Sequence, residues 1–211
     1  AIVINTCCFI HDAKEESVNT ILEMAEYKKT GTCKILIVTG CMAQRYKEEI
    51  TEEIPEVDAV LGTTSYGDIV KALNEAEAGH VFQEFKDINA LPEDSGRRVI
   101  TTGGHFGYLK IAEGCDKHCT YCIIPSLRGK FRSVPEERLL KQAEYMASQG
   151  VRELILVAQE TTVYGTDLYG KKTLHILLKK LCQIKGIRWI RVLYCYPEEI
   201  YDELIQVMKE E

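Results

Sequence analysis

Apolar positions fall into two kinds of pattern that alternate along the chain. Ile2 to Asn5 and Lys34 to Thr39 are short, nearly continuous apolar runs ending in polar residues or glycine, as in strands buried on both faces of a parallel sheet. Between them Val18, Ile21, Leu22 and Ala25 recur at i, i+3, i+4 and i+7. That spacing predicts an amphipathic helix, ending near Gly31. Helices are also predicted from Ala43 to Glu53 and from Tyr66 to Ala78, with a short strand over Val57 to Leu61 between them. The order βαβαβα makes residues 1–79 an α/β domain with a doubly wound parallel sheet.

Residues 80–107 break this rhythm. Pro92, Asp94, Ser95, Gly96, Arg97, Arg98, Gly103 and Gly104 are scattered among few apolar positions, which reads as a linker with room for one short strand. A second βα series occupies residues 108–211. Tyr108 to Ala112, Glu153 to Ala158 and Trp189 to Tyr194 read as strands, followed in turn by helical patterns over Pro135 to Gln149, Thr173 to Ile184 and Pro197 to Lys209. Pro135 suits the first turn of its helix, and Gly150 suits the C-terminal cap. Three βα units amount to half of a six-unit barrel, so a longer protein is expected at this end. The strand at Ile2 likewise reads as one that normally has predecessors.

Composition narrows the setting. The 211 residues have the apolar and charged fractions of an ordinary globular protein, and no apolar run is long enough to span a bilayer. A formal net charge of −6 provides no global attraction to nucleic acid, which favours a protein or small-molecule substrate. Lys110, Lys117, Arg128, Lys130 and Arg132 gather around residue 120 and read either as solvated surface or as an anion site. Nine cysteines, an odd number, with no signal-like apolar N-terminus, indicate a reducing cytoplasm rather than a disulfide framework.

Candidate chemistry concentrates in Cys115, Cys119 and Cys122, spaced C-x₃-C-x₂-C directly after a predicted strand. Thiolates are the usual protein ligands of iron–sulfur clusters, and three of them leave one iron of a four-iron cube open. A closed zinc site, with His118 joining the three cysteines in a non-catalytic module, is the alternative. Ligands of α/β sheets collect at the carboxyl ends of strands. Cys7 and Cys41 each follow a predicted strand of the first domain, which suggests a second metal site on one sheet edge. Cys8, Cys33, Cys182 and Cys195 read as small buried hydrophobes, although Cys8 adjoins Cys7 and could take its place.

The triplet, with Tyr121 just before its last cysteine, resembles the radical S-adenosylmethionine (SAM) enzymes. With Asn5-Thr6-Cys7 and Thr39-Gly40-Cys41 at these intervals, essentially the whole chain resembles the methylthiotransferases of that superfamily. The resemblance implies an N-terminal cluster domain followed by part of a radical SAM (β/α)₆ partial barrel. It implies two 4Fe-4S clusters, one on Cys115, Cys119 and Cys122, the other on Cys7, Cys41 and a cysteine upstream of Ala1. It also implies that a C-terminal RNA-binding-type domain and the rest of the barrel lie outside these residues, without which the chain is expected to be inactive.

Ile123 to Lys130 and Val157 to Gly165 are similar to the branch that modifies an aspartate of small-subunit ribosomal protein twelve, and Asp167-Leu168-Tyr169 leans the same way. The other branches act on adenosine derivatives of transfer RNA. In the implied mechanism one cluster and SAM generate a 5′-deoxyadenosyl radical that removes hydrogen from the aspartate β-carbon. The auxiliary cluster delivers sulfur, and a second SAM donates methyl. Tyr121 matches an aromatic whose backbone lies near the SAM adenine, or reads as plain loop packing, and Gln159 matches polar groups at the methionine end of SAM, or reads as a simple strand-end hydrogen bond. Arg128 reads as a partner of SAM or substrate carboxylates, or as plain surface. A flavodoxin-type protein is implied as electron donor.

Overall fold

In a computed structural model, residues 1–91 and 98–211 are described. Pro92, Asp94, Ser95, Gly96 and Arg97 of the expected linker lie outside the described residues. The chain forms two compact units, one of residues 1–95 with 117–129, the other of residues 96–116 with 130–211.

The first unit is built on a parallel sheet of order β1-β2-β3-β4, with β1 Ile2–Thr6, β2 Leu36–Gly40, β3 Ala59–Leu61 and β4 Phe82–Glu84. Strand β4 lies in the stretch read as linker. Its three residues have no alternation to reveal it, and it is paired through register with β3. Side chains alternate between the two faces, as the pleat requires. Ile4, Leu36, Val38 and Val60 form one core with Ile21 and Ala25 of α1 (His11–Thr30) and Met42 of α2 (Cys41–Tyr46). Ile37, Ala59 and Leu61 form the other with Ala72 of α4 (Ile69–Glu77). Helices therefore cover both faces of the sheet.

The single helix expected over Ala43 to Glu53 is two. Lys47, at φ 39°, leaves helical geometry after closing α2 on the Ala43 carbonyl (3.0 Å), and α3 (Glu48–Glu53) starts afresh behind it. Helix α5 (Ile124–Arg128), with its own buried Leu127, packs with this first unit rather than with the half-barrel.

The second unit has a parallel sheet of order β5-β8-β9, with β5 Phe106–Lys110, β8 Glu153–Val157 and β9 Trp189–Val192. Helices α6 (Glu136–Ser148), α8 (Leu174–Cys182) and α9 (Asp202–Glu210) supply Leu139, Ala143, Leu174, Leu177 and Leu204 to a core shared with Leu109, Leu154 and Leu156 of the strands. The strand expected over Tyr108 to Ala112 ends earlier. A short antiparallel pair, β6 (Ala112–Glu113) and β7 (Arg132–Ser133), follows it and forms the neck of the cysteine-bearing loop. Helix α7 (Thr166–Tyr169) is one turn long. Among the described residues no helix is long and apolar enough to cross a membrane.

Candidate metal centre

Cys7 and Cys41 leave neighbouring strands at matched register, because Thr6 and Gly40 form the last pair of β1 and β2. Gly40 has φ 99° and ψ −158°. A Cβ there would lie 2.4 Å from the Thr6 carbonyl oxygen and 2.6 Å from Asn5 Oδ1. Only glycine allows the two strand ends to approach so closely. The Thr6 hydroxyl donates to the Thr39 carbonyl (2.6 Å) and adds a side-chain tie across the same ends.

Ser17 of α1 fixes the backbone of Cys7. Its Oγ accepts from the Cys7 N–H (3.0 Å), and its hydroxyl faces the carbonyls of Cys7 (2.9 Å) and Ala13 (2.8 Å). Sequence reasoning missed this residue. The available signal was a buried serine on the stripe shared with Ile21 and Ala25.

Neighbouring cysteines divide the work. Cys7 is exposed, Cys41 is half-buried at the start of α2, and Cys8 is 2% exposed within the core. Burial pushes the Cys8 thiol pKa up, nearby Cys41 adds to the shift, and a hydrogen bond from Arg45 opposes it. A buried neutral thiol of this kind behaves as a small hydrophobe. All nine cysteines carry thiols rather than disulfides. Cys33 Sγ faces the Ile35 carbonyl at 3.3 Å, Cys195 Sγ lies 3.5 Å from the Thr161 hydroxyl, and burial raises the Cys182 thiol.

Arg128 ends α5, and its Nε–H donates to Cys41 Sγ at 3.3 Å. Its expected roles were carboxylate binding or plain surface. Within its unit it also addresses a candidate ligand sulfur, a contact that neither expectation included.

The triplet is distributed along its loop. Cys115 belongs to the second unit, where the Phe131 N–H donates to Asp116 Oδ1 (3.0 Å) and ties the loop's neck beside the β6–β7 pair. Cys119 and Cys122 belong to the first unit and sit on one turn, closed by the Cys122 N–H on the Cys119 carbonyl (3.0 Å). All three are half-buried. The Tyr121 side chain is 83% exposed, and His118 is exposed. Among the described residues no three or more His, Cys, Asp or Glu side chains already converge to hold a metal ion.

Gln159 follows β8, and its Oε1 is buried with no hydrogen-bond partner. Its neighbour Glu160 is a buried carboxylate, which accepts from the Thr162 N–H (3.0 Å), the Thr162 hydroxyl and the Tyr196 N–H (3.4 Å). Glu160 thereby stitches the loops after β8 and β9. Nothing in its sequence position distinguished it from an ordinary surface glutamate.

A parallel βα sheet with a three-cysteine loop after its first strand defines a protein of the radical SAM class. The model of the radical SAM superfamily matches residues 109–211, and that of uncharacterized protein family UPF0004 matches residues 1–62. Among curated proteins, the chain is 67% identical to ribosomal protein uS12 methylthiotransferase RimO of Lachnoclostridium phytofermentans, over 100% of this chain and 48% of that protein. It is 53% identical to the protein of that name in Clostridioides difficile, over 99% of this chain and 47% of that one. The chain belongs to the radical SAM methylthiotransferase family. It spans about half the length of the curated relatives it matches. Of solved structures, the radical S-adenosylmethionine methyltransferase TsrM of Kitasatospora setae shares its fold, with TM-score 0.62, 10% identity and coverage of 98% of this chain and 45% of that one.

Proposed function

We propose that the protein of which these residues form part adds a methylthio group to the β-carbon of an aspartate in ribosomal protein uS12. The observation that carries this reading is the identity of 50–67% to RimO proteins over nearly the whole of this chain.

The donor set fits two iron–sulfur clusters. Cys115, Cys119 and Cys122 offer three thiolates and no fourth, which leaves one iron of a 4Fe-4S cluster for SAM. Cys7 and Cys41, at adjoining strand ends, would hold an auxiliary 4Fe-4S cluster together with the upstream cysteine that the family resemblance implies. When bound, these clusters and SAM supply the one-electron chemistry and the sulfur that no acid–base side chain can bring to an unactivated carbon.

The chain's own residues bind and orient. The orphaned Gln159 Oε1 is suited to accept from the amino group of SAM, since a buried oxygen without a partner is costly until a donor arrives. The exposed Tyr121 side chain leaves its backbone to line the adenine. Gly40 and Ser17 hold Cys41 and Cys7 at a fixed spacing. A ribosomal substrate implies work in the cytoplasm, with a flavodoxin-type protein as electron donor.

Deleting the gene and measuring the intact mass of uS12, beside a nucleoside analysis of transfer RNA, tests the substrate. The expected result is loss of one methylthio increment from uS12 with nucleosides unchanged. An unchanged uS12 mass with a lost methylthio nucleoside would assign the enzyme to transfer RNA instead.

A further inference from the structure

The structure assigns to Arg128 a role at the auxiliary site: we infer that it is a positioning residue that holds the Cys41 sulfur and raises the reduction potential of the cluster bound there. The inference rests on the reading of Cys41 as a cluster ligand.

The geometry is a closed circuit of contacts within one unit. Cys41 and Gln44 lie on the same helix, α2. Gln44 Oε1 accepts from the Thr63 N–H at 3.1 Å, and the Thr63 hydroxyl donates to the Leu127 carbonyl at 2.8 Å. Leu127 is 5% exposed in the core that also holds Met42 and Ala43. Arg128, the next residue, returns to Cys41 through its Nε–H at 3.3 Å. Position is therefore set from both sides. The buried Gln44–Thr63 and Thr63–Leu127 bonds fix the backbone from which each side chain reaches the contact.

Chemistry gives this contact its consequence. A guanidinium stays charged at any working pH and its N–H directions are fixed by a planar group. Hydrogen bonds to the sulfurs and net charge set the potentials of iron–sulfur clusters. A cationic N–H donor on a ligating thiolate stabilises the more negative, reduced cluster and so raises its potential. Arg128 lies six residues after Cys122, so the loop that bears two ligands of one cluster also carries the tuning group of the other.

The test uses the full-length protein with Cys115, Cys119 and Cys122 replaced by alanine, so that only the auxiliary cluster forms after anaerobic reconstitution. Iron content is measured, and the midpoint potential is read by redox titration with electron paramagnetic resonance. Arg128→Met should retain iron and shift the potential downward, beyond the scatter of replicate titrations. Arg128→Lys keeps the charge but loses the directed Nε–H, and should shift it by less. An unchanged potential at full iron content overturns the inference. If Arg128→Met does not fold, Arg128→Lys decides by the same criterion. Cys41→Ala in the same background separates the two ideas, because full iron retention there would sink the ligand reading itself, independently of any Arg128 result.

Discussion

Replacing Gly40 by alanine perturbs the candidate auxiliary site through one methyl group. The conformation at φ 99° and ψ −158° is open essentially only to glycine, and holding another residue there costs about 1–3 kcal/mol. The new Cβ would stand 2.4 Å from the Thr6 carbonyl oxygen and 2.9 Å from the Thr6 nitrogen, where ordinary contact begins at 3.4 Å. These are backbone atoms of a paired strand. Unlike the tip of a flexible side chain, they yield only if the end of β1 moves, and such overpacking adds about 1–3 kcal/mol. The sum, about 2–6 kcal/mol, is a large share of the ~5–15 kcal/mol that holds a typical domain together. Any such displacement separates Cys7 from Cys41, whereas metal ligands tolerate errors of about 0.2 Å. Anaerobic urea unfolding and iron content, measured with Cys115, Cys119 and Cys122 replaced by alanine, should therefore fall together. Gly79→Ala is the control, because Gly79 also has positive φ, 83°, but a Cβ there meets nothing within 4 Å. Its cost should stay near ~1 kcal/mol, the conformational part alone. If Gly40→Ala matches Gly79→Ala within about 0.5 kcal/mol and keeps its iron, the close approach of the strand ends does not set the site.

Other expectations concern single contacts. Ser17→Ala strands the Cys7 N–H without its acceptor and should cost about 1–3 kcal/mol in urea unfolding, with a lower iron content at the auxiliary site. Gln159→Ala removes a buried oxygen that has no protein partner, so stability should hold within about 0.5 kcal/mol. Its SAM dissociation constant, measured by calorimetry on reconstituted protein, should rise about tenfold, the loss of one hydrogen bond to a charged group; an unchanged constant would remove Gln159 from the SAM site. Burial pushes the Tyr164 hydroxyl well above the ordinary tyrosine range. Above about pH 10 the unfolded chain releases that proton while the native state keeps it, so stability declines as pH rises. Tyr164→Phe loses the hydrogen bond to the Val134 carbonyl (2.8 Å) and about 0.5–1.5 kcal/mol at neutral pH. It should also flatten the alkaline decline by one proton's worth, and equal slopes in urea midpoints would refute the assignment.

Apolar runs located β1, β2 and β8, and shorter apolar-rich stretches located β5 and β9, with parallel topology following from their alternation with helices. Periodicity could not locate β4, whose Phe82-Gln83-Glu84 has only three residues and is defined by pairing with Ala59–Leu61. Nor could it break the helix after Tyr46, since lysine is a good helix former and the turn at Lys47 is imposed by the surroundings. The packing of residues 117–129 with the first unit was equally hidden. The burial of Leu127 beside Met42 and Ala43 joins segments more than eighty residues apart, and no local pattern encodes that.

The same distinction divides the site. Cysteines are few and thiolates are the usual ligands of iron–sulfur clusters, so spacing singled out Cys115, Cys119 and Cys122 as candidate ligands, whereas Cys7 and Cys41 needed the family resemblance beside their strand-end placement. The groups that hold them are serine, threonine, glutamine and arginine, which serve many purposes and carry no signature of any one. Thr63 reaches Leu127 across 64 positions and Arg128 reaches Cys41 across 87. Such contacts become visible only when the fold closes the distance. Arg128 and Thr63 lie far from Cys41 in sequence, yet a substitution at either acts on its sulfur, directly at Arg128 and through Leu127 at Thr63, which is why the sharpest tests of this site fall on residues other than its cysteines.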